Sequence, residues 1–290
     1  MRQAVQLAQE AKSRYLVEHP FVHSEDIKIA LSLGPYGATQ STHEFDGIYP
    51  PPYGPREYDP SDPNGNTNYF ARREDELQAI TALRKFHWER LAVFAEDSET
   101  WNCIDYIAFE TVPLCREIRA IRGAMEQLVW QGKKKPWWIS TVYPNGQFPE
   151  HTGCGDGTVP IADVVRACLS DQMGGVVPDG LGVNCTTVDH LPSILEQLVC
   201  HAQLHVSEAG LKPWLVVYPN GGDWDHSTGT WSNAPLHTRG VSDCEIWARR
   251  LRDAVGPAFE SMIWRGLILG GCCKTGPQEI AALSGQRAGV

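Results

Sequence analysis

Short apolar runs alternate with longer amphipathic segments along most of the chain. Short runs rich in β-branched and aromatic residues are typical of buried strands, whereas apolar residues repeated every three or four positions are typical of helices. Strands are predicted at 27–33, 104–109, 137–142, 214–218 and 266–269, with a further strand that closes at 182–185. Helices are predicted at 1–19, 72–97, 114–130, 161–169, 190–206, 242–254 and 277–283.

The regular alternation of strands and helices predicts a parallel sheet covered by helices. We expect a single α/β domain over residues 1–290, of the (β/α)8 TIM-barrel type. The chain has no G-x-G-x-x-G or P-loop pattern, which argues against a nucleotide-binding sheet. A closed barrel needs eight strands and six are predicted here, so the barrel is expected to be incomplete. The other two strands are expected upstream of Met1, or another element takes their place.

A stretch rich in Pro, Gly, Tyr and Asn at about 38–70 is predicted to be a long loop insertion. Loops of this length in compact domains are usually functional or mobile. The insertion follows the first predicted strand and therefore belongs to the end of the sheet where a barrel carries its active site.

The overall charge and composition narrow the class of partner. The net charge of −10 argues against nucleic acid or an anionic membrane surface. The nine cysteines show no small-scaffold spacing, which argues against a disulfide framework and favours a reducing compartment. No apolar run approaches the length of a membrane span, and the N-terminus lacks the apolar segment of a signal peptide. We therefore expect a soluble cytoplasmic protein.

Polar side chains and cysteines follow the predicted strands, where each strand ends. In a parallel barrel these strand ends converge on one face, so the residues are candidates for a common site. They are Glu110, Ser140, Thr141, Asn184, Cys185, Tyr218, Asn220, Cys272 and Cys273.

Two adjacent cysteines, Cys272 and Cys273, follow two glycines at the end of the last predicted strand. On their own they fit a metal site, and the competing interpretations are buried apolar thiols, a vicinal disulfide and chance. Cys185, at another strand end, adds a third thiolate to the same face. Three protein ligands with an open fourth position are typical of a catalytic zinc site, and sulfur ligands favour zinc over magnesium or calcium.

The other candidates each have a structural alternative. Glu110 could cap the helix that follows it, or it could hold a substrate ammonium group. Asn184 could satisfy backbone groups or orient a ligand, and Asn220 could serve only the turn. Cys154 is interpreted as a loop thiol. The remaining cysteines are interpreted as packing residues, and they are Cys103, Cys115, Cys168, Cys200 and Cys244.

The motifs Gly-x-Asn-Cys at 182–185 and Gly-Gly-Cys-Cys at 270–273 resemble those of the zinc-dependent homocysteine S-methyltransferases. Further segments resemble the same family in the same order, namely 34–37, 110–113, 156–158 and 218–220. The elements at 34–37 and 218–220 look more like the branch that uses S-methylmethionine or S-adenosylmethionine than the branch that uses betaine. The family fold is a (β/α)8 barrel, which agrees with the alternation of elements.

The resemblance implies that Cys185, Cys272 and Cys273 bind one zinc ion, and that Glu110 contacts the amino group of L-homocysteine. It also implies methyl transfer from a sulfonium donor to the homocysteine thiol, giving methionine. Family members begin with a strand that carries an Asp-Gly-Gly-type motif, followed by a second strand, and this sequence has neither. The alternative is therefore a truncated, non-catalytic zinc-binding relative, and a weaker one is a redox role for a Cys272–Cys273 disulfide.

Overall fold

The computed structural model describes residues 1–40, 45–62, 65–153, 157–206, 212–225, 230–232 and 242–285. Its helices are α1 (Arg2–Glu18), α2 (Arg73–Ala95), α3 (Ser98–Asn102), α4 (Cys115–Trp130), α5 (Ile161–Leu169), α6 (Leu191–Ala202), α7 (Asp243–Glu260) and α8 (Pro277–Ser284). Its strands are β1 (Ala30–Leu33), β2 (Tyr106–Val112), β3 (Trp137–Thr141), β4 (Gly180–Asn184), β5 (Trp214–Tyr218), β6 (Asp223–Asp225), β7 (Thr230–Ser232) and β8 (Gly266–Leu269).

Six of these strands form one parallel sheet in the order β1-β2-β3-β4-β5-β8. The predicted α/β class and the six predicted strands are confirmed. β6 and β7 form a separate antiparallel pair that the sequence pattern did not predict. In the described part of the chain, β1 and β8 are the two edges of the sheet and each pairs on one side only.

The helices pack on one face of the sheet, and the large hydrophobic core lies between them and the strands. The opposite face, here called the inner face, carries a smaller cluster formed only by strand residues. Its members are Ala108, Trp138 and Val216, with Tyr106, Trp214, Tyr218 and Ile268 packed against them. Helices on a single face are the arrangement of a barrel, whereas a doubly wound sheet has helices on both faces. None of the described helices is long and apolar enough to cross a membrane.

Helix α2 buries Leu83, His87 and Leu91 fully, whereas Leu77 near its start is 43% exposed. His87 therefore lies in the core, and its Nε2 atom is 2.8 Å from Oε1 of Glu117 on α4. Burial lowers the pKa of His87, so the imidazole is neutral at physiological pH and donates this hydrogen bond.

Glu117 also anchors the insertion. Its carboxylate accepts hydrogen bonds from the backbone N–H of Tyr36 at 2.6 Å and from the hydroxyl of Tyr49 at 2.7 Å. Burial alone would raise the pKa of Glu117, but the hydrogen bonds from His87, Tyr49 and Tyr36 outweigh it and lower the pKa. The buried group is therefore a carboxylate with all its donors in place, which fixes the start of the insertion to the helix layer.

Arg116 anchors the other end of the insertion. Its guanidinium donates to the carbonyl oxygen of Asn68 at 2.6 Å and to that of Gly47 at 3.4 Å, and it pairs with Glu150 at 3.3 Å. The Asn68 side chain in turn donates to the carbonyl oxygens of Asp46 and Pro149 at 2.7 and 3.0 Å. These contacts tie residues 46, 47 and 68 of the insertion to α4 and to residues 149–150.

Candidate active site

Three cysteine sulfurs meet at the carboxyl end of the sheet. The Sγ atoms of Cys185, Cys272 and Cys273 all lie within 4.8 Å of one another, and those of Cys185 and Cys273 are 3.9 Å apart. In a tetrahedral zinc site with Zn–S bonds of about 2.3 Å, neighbouring sulfurs lie about 3.8 Å apart. The structure therefore brings together the three cysteines that the sequence analysis grouped, and the distance between the Cys185 and Cys273 sulfurs suits this ion.

The sulfurs of Cys185 and Cys272 are joined as a disulfide, with their Cα atoms 5.5 Å apart, while Cys273 keeps its thiol. This bond links two different strand ends, so the vicinal Cys272–Cys273 disulfide considered from the sequence is not the one formed. Metal ligation requires thiolates, and the metal-binding form of the cluster is accordingly the reduced one.

The residues that follow β5, at 219–221, connect the two halves of the cysteine cluster. The carbonyl oxygen of residue 219 accepts a hydrogen bond from the Cys272 N–H at 2.8 Å, and the N–H of residue 221 donates to the Cys273 carbonyl at 2.7 Å. On its other side, the N–H of residue 220 donates to the carbonyl of Thr186, which follows Cys185, at 3.0 Å. This segment therefore sets the position of the two-cysteine turn relative to Cys185.

Asn184 joins the cysteine cluster to the end of β2. Its Oδ1 accepts from the N–H of Thr111 at 2.7 Å, and its Nδ2 donates to the Thr111 hydroxyl at 2.7 Å and towards Cys272 Sγ at 3.8 Å. Thr111 and Cys185 both have left-handed backbones, with φ of 61° and 48°, which non-glycine residues adopt only when their surroundings hold them. Because Asn184 is fully buried, its role here is to hold these two turns together.

Glu110 lies on the inner face of the sheet, where the hydroxyl of Ser32 on β1 donates to its Oε1. Burial and the neighbouring Glu110 charge raise the pKa of Tyr218 on β5. The Tyr218 oxygen also lies 2.5 Å from Ser140 Oγ and 3.3 Å from Nε1 of Trp138. Side-chain hydrogen bonds on the inner face thus join β1 to β2 and β3 to β5.

Glu110 does not cap the following helix. The first residue of α4 is Cys115, and its N–H donates to Oε2 of Glu150 at 2.6 Å. The helix-cap interpretation of Glu110 is therefore wrong, because Glu150, 35 residues after Cys115, caps α4 instead. The Glu110 carboxylate faces the inner side of the sheet instead.

Two adjacent candidate residues, Ser140 and Thr141, lie on opposite faces of the sheet. Ser140 lies on the inner face, whereas Thr141 is buried on the helix side, where its hydroxyl donates to the Gly182 carbonyl at 3.2 Å. The structure therefore does not bring Thr141 to the site. Asn220 is 7% exposed, and its Oδ1 has no hydrogen-bond partner among the described residues. A buried acceptor without a donor is costly, so this atom is suited to a donor group on a ligand.

Ser32 and Trp138 belong to the site but were not predicted. Ser32 alternates with the buried Leu31 and Leu33, and this period of two places its side chain on the inner face of β1. That alternation was the signal that could have found it. Cys200, interpreted as a packing residue, is exposed on α6. Cys154, and residue 156 of the segment 156–158, lie outside the described residues.

The sequence is similar to known proteins along most of its length. The family model described as homocysteine S-methyltransferase matches residues 1–286. The chain belongs to the homocysteine S-methyltransferase family. It is 29% identical over 285 residues to "Homocysteine S-methyltransferase YbgG" of Bacillus subtilis. The match covers 96% of this chain and 69% of that protein. It is 28% identical over 281 residues to "Homocysteine S-methyltransferase" of Escherichia coli, covering 97% and 68% respectively.

The fold comparison supports the barrel type. The crystal structure of the homocysteine methyltransferase MmuM from Escherichia coli, in its apo form, matches this family member with a TM-score of 0.51 and 22% identity. The match covers 98% of this chain and 71% of that one. The six-stranded sheet is thus consistent with part of the fold of a (β/α) barrel, and family membership supports methyl transfer to homocysteine as the class of reaction.

Proposed function

We propose that the chain transfers a methyl group from S-methylmethionine or S-adenosylmethionine to the thiol of L-homocysteine, giving methionine, with one zinc ion at the cysteine cluster. The observation that carries this proposal is the meeting of three cysteine sulfurs within 4.8 Å at the carboxyl end of the sheet. Membership of a family named for this reaction supports the same proposal.

The donor set fits zinc for two reasons. All three ligand atoms are sulfurs, which favour zinc over the harder cations, and three protein ligands leave a fourth position for a substrate. When bound, zinc would lower the pKa of the homocysteine thiol, so that it is present as a nucleophilic thiolate at neutral pH. In this proposal the ligands are Cys185, Cys272 and Cys273.

The polar groups around the cluster suit an amino-acid substrate. The carboxylate of Glu110 complements an ammonium group, and the unpartnered Oδ1 of Asn220 accepts from a substrate N–H. Ser140 and Tyr218 line the inner face beside Glu110. Asn184 is hydrogen-bonded to Thr111 at the end of β2 and donates towards Cys272 Sγ. It thereby holds the cysteine cluster in place relative to the strand that carries Glu110.

The reaction balances without a general acid. The homocysteine sulfur forms a bond to the methyl carbon while the bond between that carbon and the sulfonium sulfur breaks. The electron pair of the broken bond stays on the donor sulfur, which becomes a neutral thioether, and the thiol proton of homocysteine passes to solvent. The task of the protein is therefore to orient the two substrates and to keep the attacking sulfur deprotonated.

The proposal is tested by incubating the reduced, zinc-loaded protein with L-homocysteine and a donor that carries a deuterated methyl group. We expect mass spectrometry to detect methionine with the deuterated methyl group, formed from S-methylmethionine, S-adenosylmethionine or both. The Cys185→Ser variant is the matched control and should form none, since it lacks one of the three sulfurs.

A different outcome would favour the second candidate. If the wild-type protein holds one zinc ion per chain and binds homocysteine but forms no labelled methionine with either donor, the enzymatic proposal fails. The chain would then act as a zinc-binding, non-catalytic member of its family.

A further inference from the structure

The side-chain amide of Asn184 is buried against the sulfur of Cys272, one of the three proposed metal ligands. Its Oδ1 accepts a hydrogen bond from the Thr111 N–H at 2.7 Å. Its Nδ2 lies 2.7 Å from the Thr111 hydroxyl and 3.8 Å from Cys272 Sγ. The side chain is fully buried, so these protein groups, and not solvent, are the partners of the amide.

The orientation of this amide follows from its partners. A backbone N–H can only donate, so the atom of the amide that faces the Thr111 N–H is the oxygen. The nitrogen then has two hydrogens, of which one goes to the Thr111 hydroxyl and the other to Cys272 Sγ. In the structure that sulfur belongs to the disulfide with Cys185, whereas the thiolate of the reduced form is charged and is therefore the stronger acceptor.

A hydrogen bond to Cys272 has a chemical consequence, because a thiolate that ligates a metal is itself a nucleophile. A sulfonium donor can therefore methylate the ligand instead of the substrate. In that side reaction the Cys272 sulfur forms a bond to the methyl carbon while the bond from that carbon to the sulfonium sulfur breaks. The electron pair of the broken bond stays on the donor sulfur, residue 272 becomes a neutral thioether, and the site loses one thiolate.

We propose that Asn184 is a positioning residue whose N–H bond to Cys272 protects this ligand from methylation and so directs the methyl group to the substrate thiol. Groups that hydrogen-bond to a metal ligand tune the charge on it, and an N–H donor draws negative charge away from the sulfur. The inference rests on the proposed function, because it takes the three cysteines as metal-bound thiolates. It assigns Asn184 a chemical effect on the ligand in addition to its hold on the two turns.

The test measures methylation of Cys272 in the reduced, zinc-loaded protein without homocysteine, with iodomethane that carries a deuterated methyl group as the probe. Peptide mass spectrometry reports the label at each cysteine separately. Asn184→Asp keeps the shape of the side chain and an acceptor for the Thr111 N–H, but it offers the sulfur no donor. It should raise the rate of Cys272 methylation about tenfold, the effect of one hydrogen bond to a charged group. Asn184→Leu, which removes the donor without adding a charge, should raise this rate as well.

Thr111→Val is the matched control, because it removes the hydroxyl partner of the same amide and keeps the backbone N–H that orients it. The donor to Cys272 remains, so the rate of Cys272 methylation should stay at the wild-type value. An equal rise in Thr111→Val would assign the effect to a loosened turn and overturn the inference. An unchanged rate in both Asn184 variants would overturn it too.

A second measurement needs no variant. In the reduced protein loaded with the spin-half isotope of cadmium in place of zinc, NMR should detect a scalar coupling between the metal and a side-chain amide proton of Asn184, carried through the Cys272 sulfur. Its absence from the folded, cadmium-loaded protein would contradict the inference. These failures leave the proposed function intact if the wild type holds zinc and forms methionine. A wild type that does neither sinks the proposed function, and this inference with it.

Discussion

Replacing Cys185 by serine is expected to reduce the zinc content of the protein from about one ion per chain to nearly none. Cys185 is the one proposed ligand that follows β4, and its sulfur is 3.9 Å from that of Cys273. Without it, two adjacent thiols on one turn remain, and two ligands do not complete the protein's share of a tetrahedral site. Metal analysis of the reduced, purified protein by mass spectrometry measures the effect.

The matched control for this prediction is Cys200→Ser. Cys200 is an exposed thiol on α6, away from the cluster, so its replacement should leave the zinc content at the wild-type level. An unchanged zinc content in Cys185→Ser would show that Cys185 is not a ligand. Equal loss in both variants would assign the metal to non-specific binding by thiols.

Replacing Gly221 by alanine is expected to weaken zinc binding about 10- to 100-fold, the usual cost of disturbing groups that orient metal ligands. A Cβ atom at residue 221 would lie 2.5 Å from the carbonyl oxygen of Lys274 and 2.8 Å from its carbonyl carbon. These are backbone atoms, so the turn that carries Cys273 must shift to make room. The hydrogen bond from the Gly221 N–H to the Cys273 carbonyl would be lost with that shift.

Competition with a zinc chelator of known affinity, followed by absorbance, measures this change. Gly256→Ala is the matched control, because a Cβ atom there meets nothing within 4 Å and the residue lies inside α7. Alanine in a helix interior is favoured over glycine, so this variant should bind zinc normally and be slightly more stable. Wild-type zinc affinity in Gly221→Ala would contradict the view that residues 219–221 fix the two-cysteine turn.

The sequence predicted those parts of the fold that depend on local pattern. β5 was predicted from residue 214 to residue 218, and is found there, because a short apolar run is followed by Pro219 and a turn rich in Asn and Gly. The grouping of Cys185 with Cys272 and Cys273 followed from the rule that parallel strands share one carboxyl end. Both inferences need only a short segment and a general rule of topology.

Contacts between distant residues could not be predicted in the same way. Ser32 and Glu110 are 78 residues apart, and a single hydroxyl in an apolar run does not indicate its partner. The buried bond between His87 and Glu117 joins two helices 30 residues apart. Glu150 caps α4 in place of Glu110. A local pattern could not predict this, because Glu150 lies 35 residues after the first residue of the helix. These features depend on tertiary packing, which propensity and periodicity do not encode.

The most direct test of the central claim counts the sulfur atoms around the metal by X-ray absorption at the zinc edge. For the reduced, zinc-loaded protein we predict three sulfur ligands and one lighter atom, and four sulfurs after addition of L-homocysteine. The first number tests the cluster of Cys185, Cys272 and Cys273, and the second tests whether the substrate thiol takes the remaining position. Fewer than three sulfurs before addition, or an unchanged count once homocysteine is bound, would contradict the account.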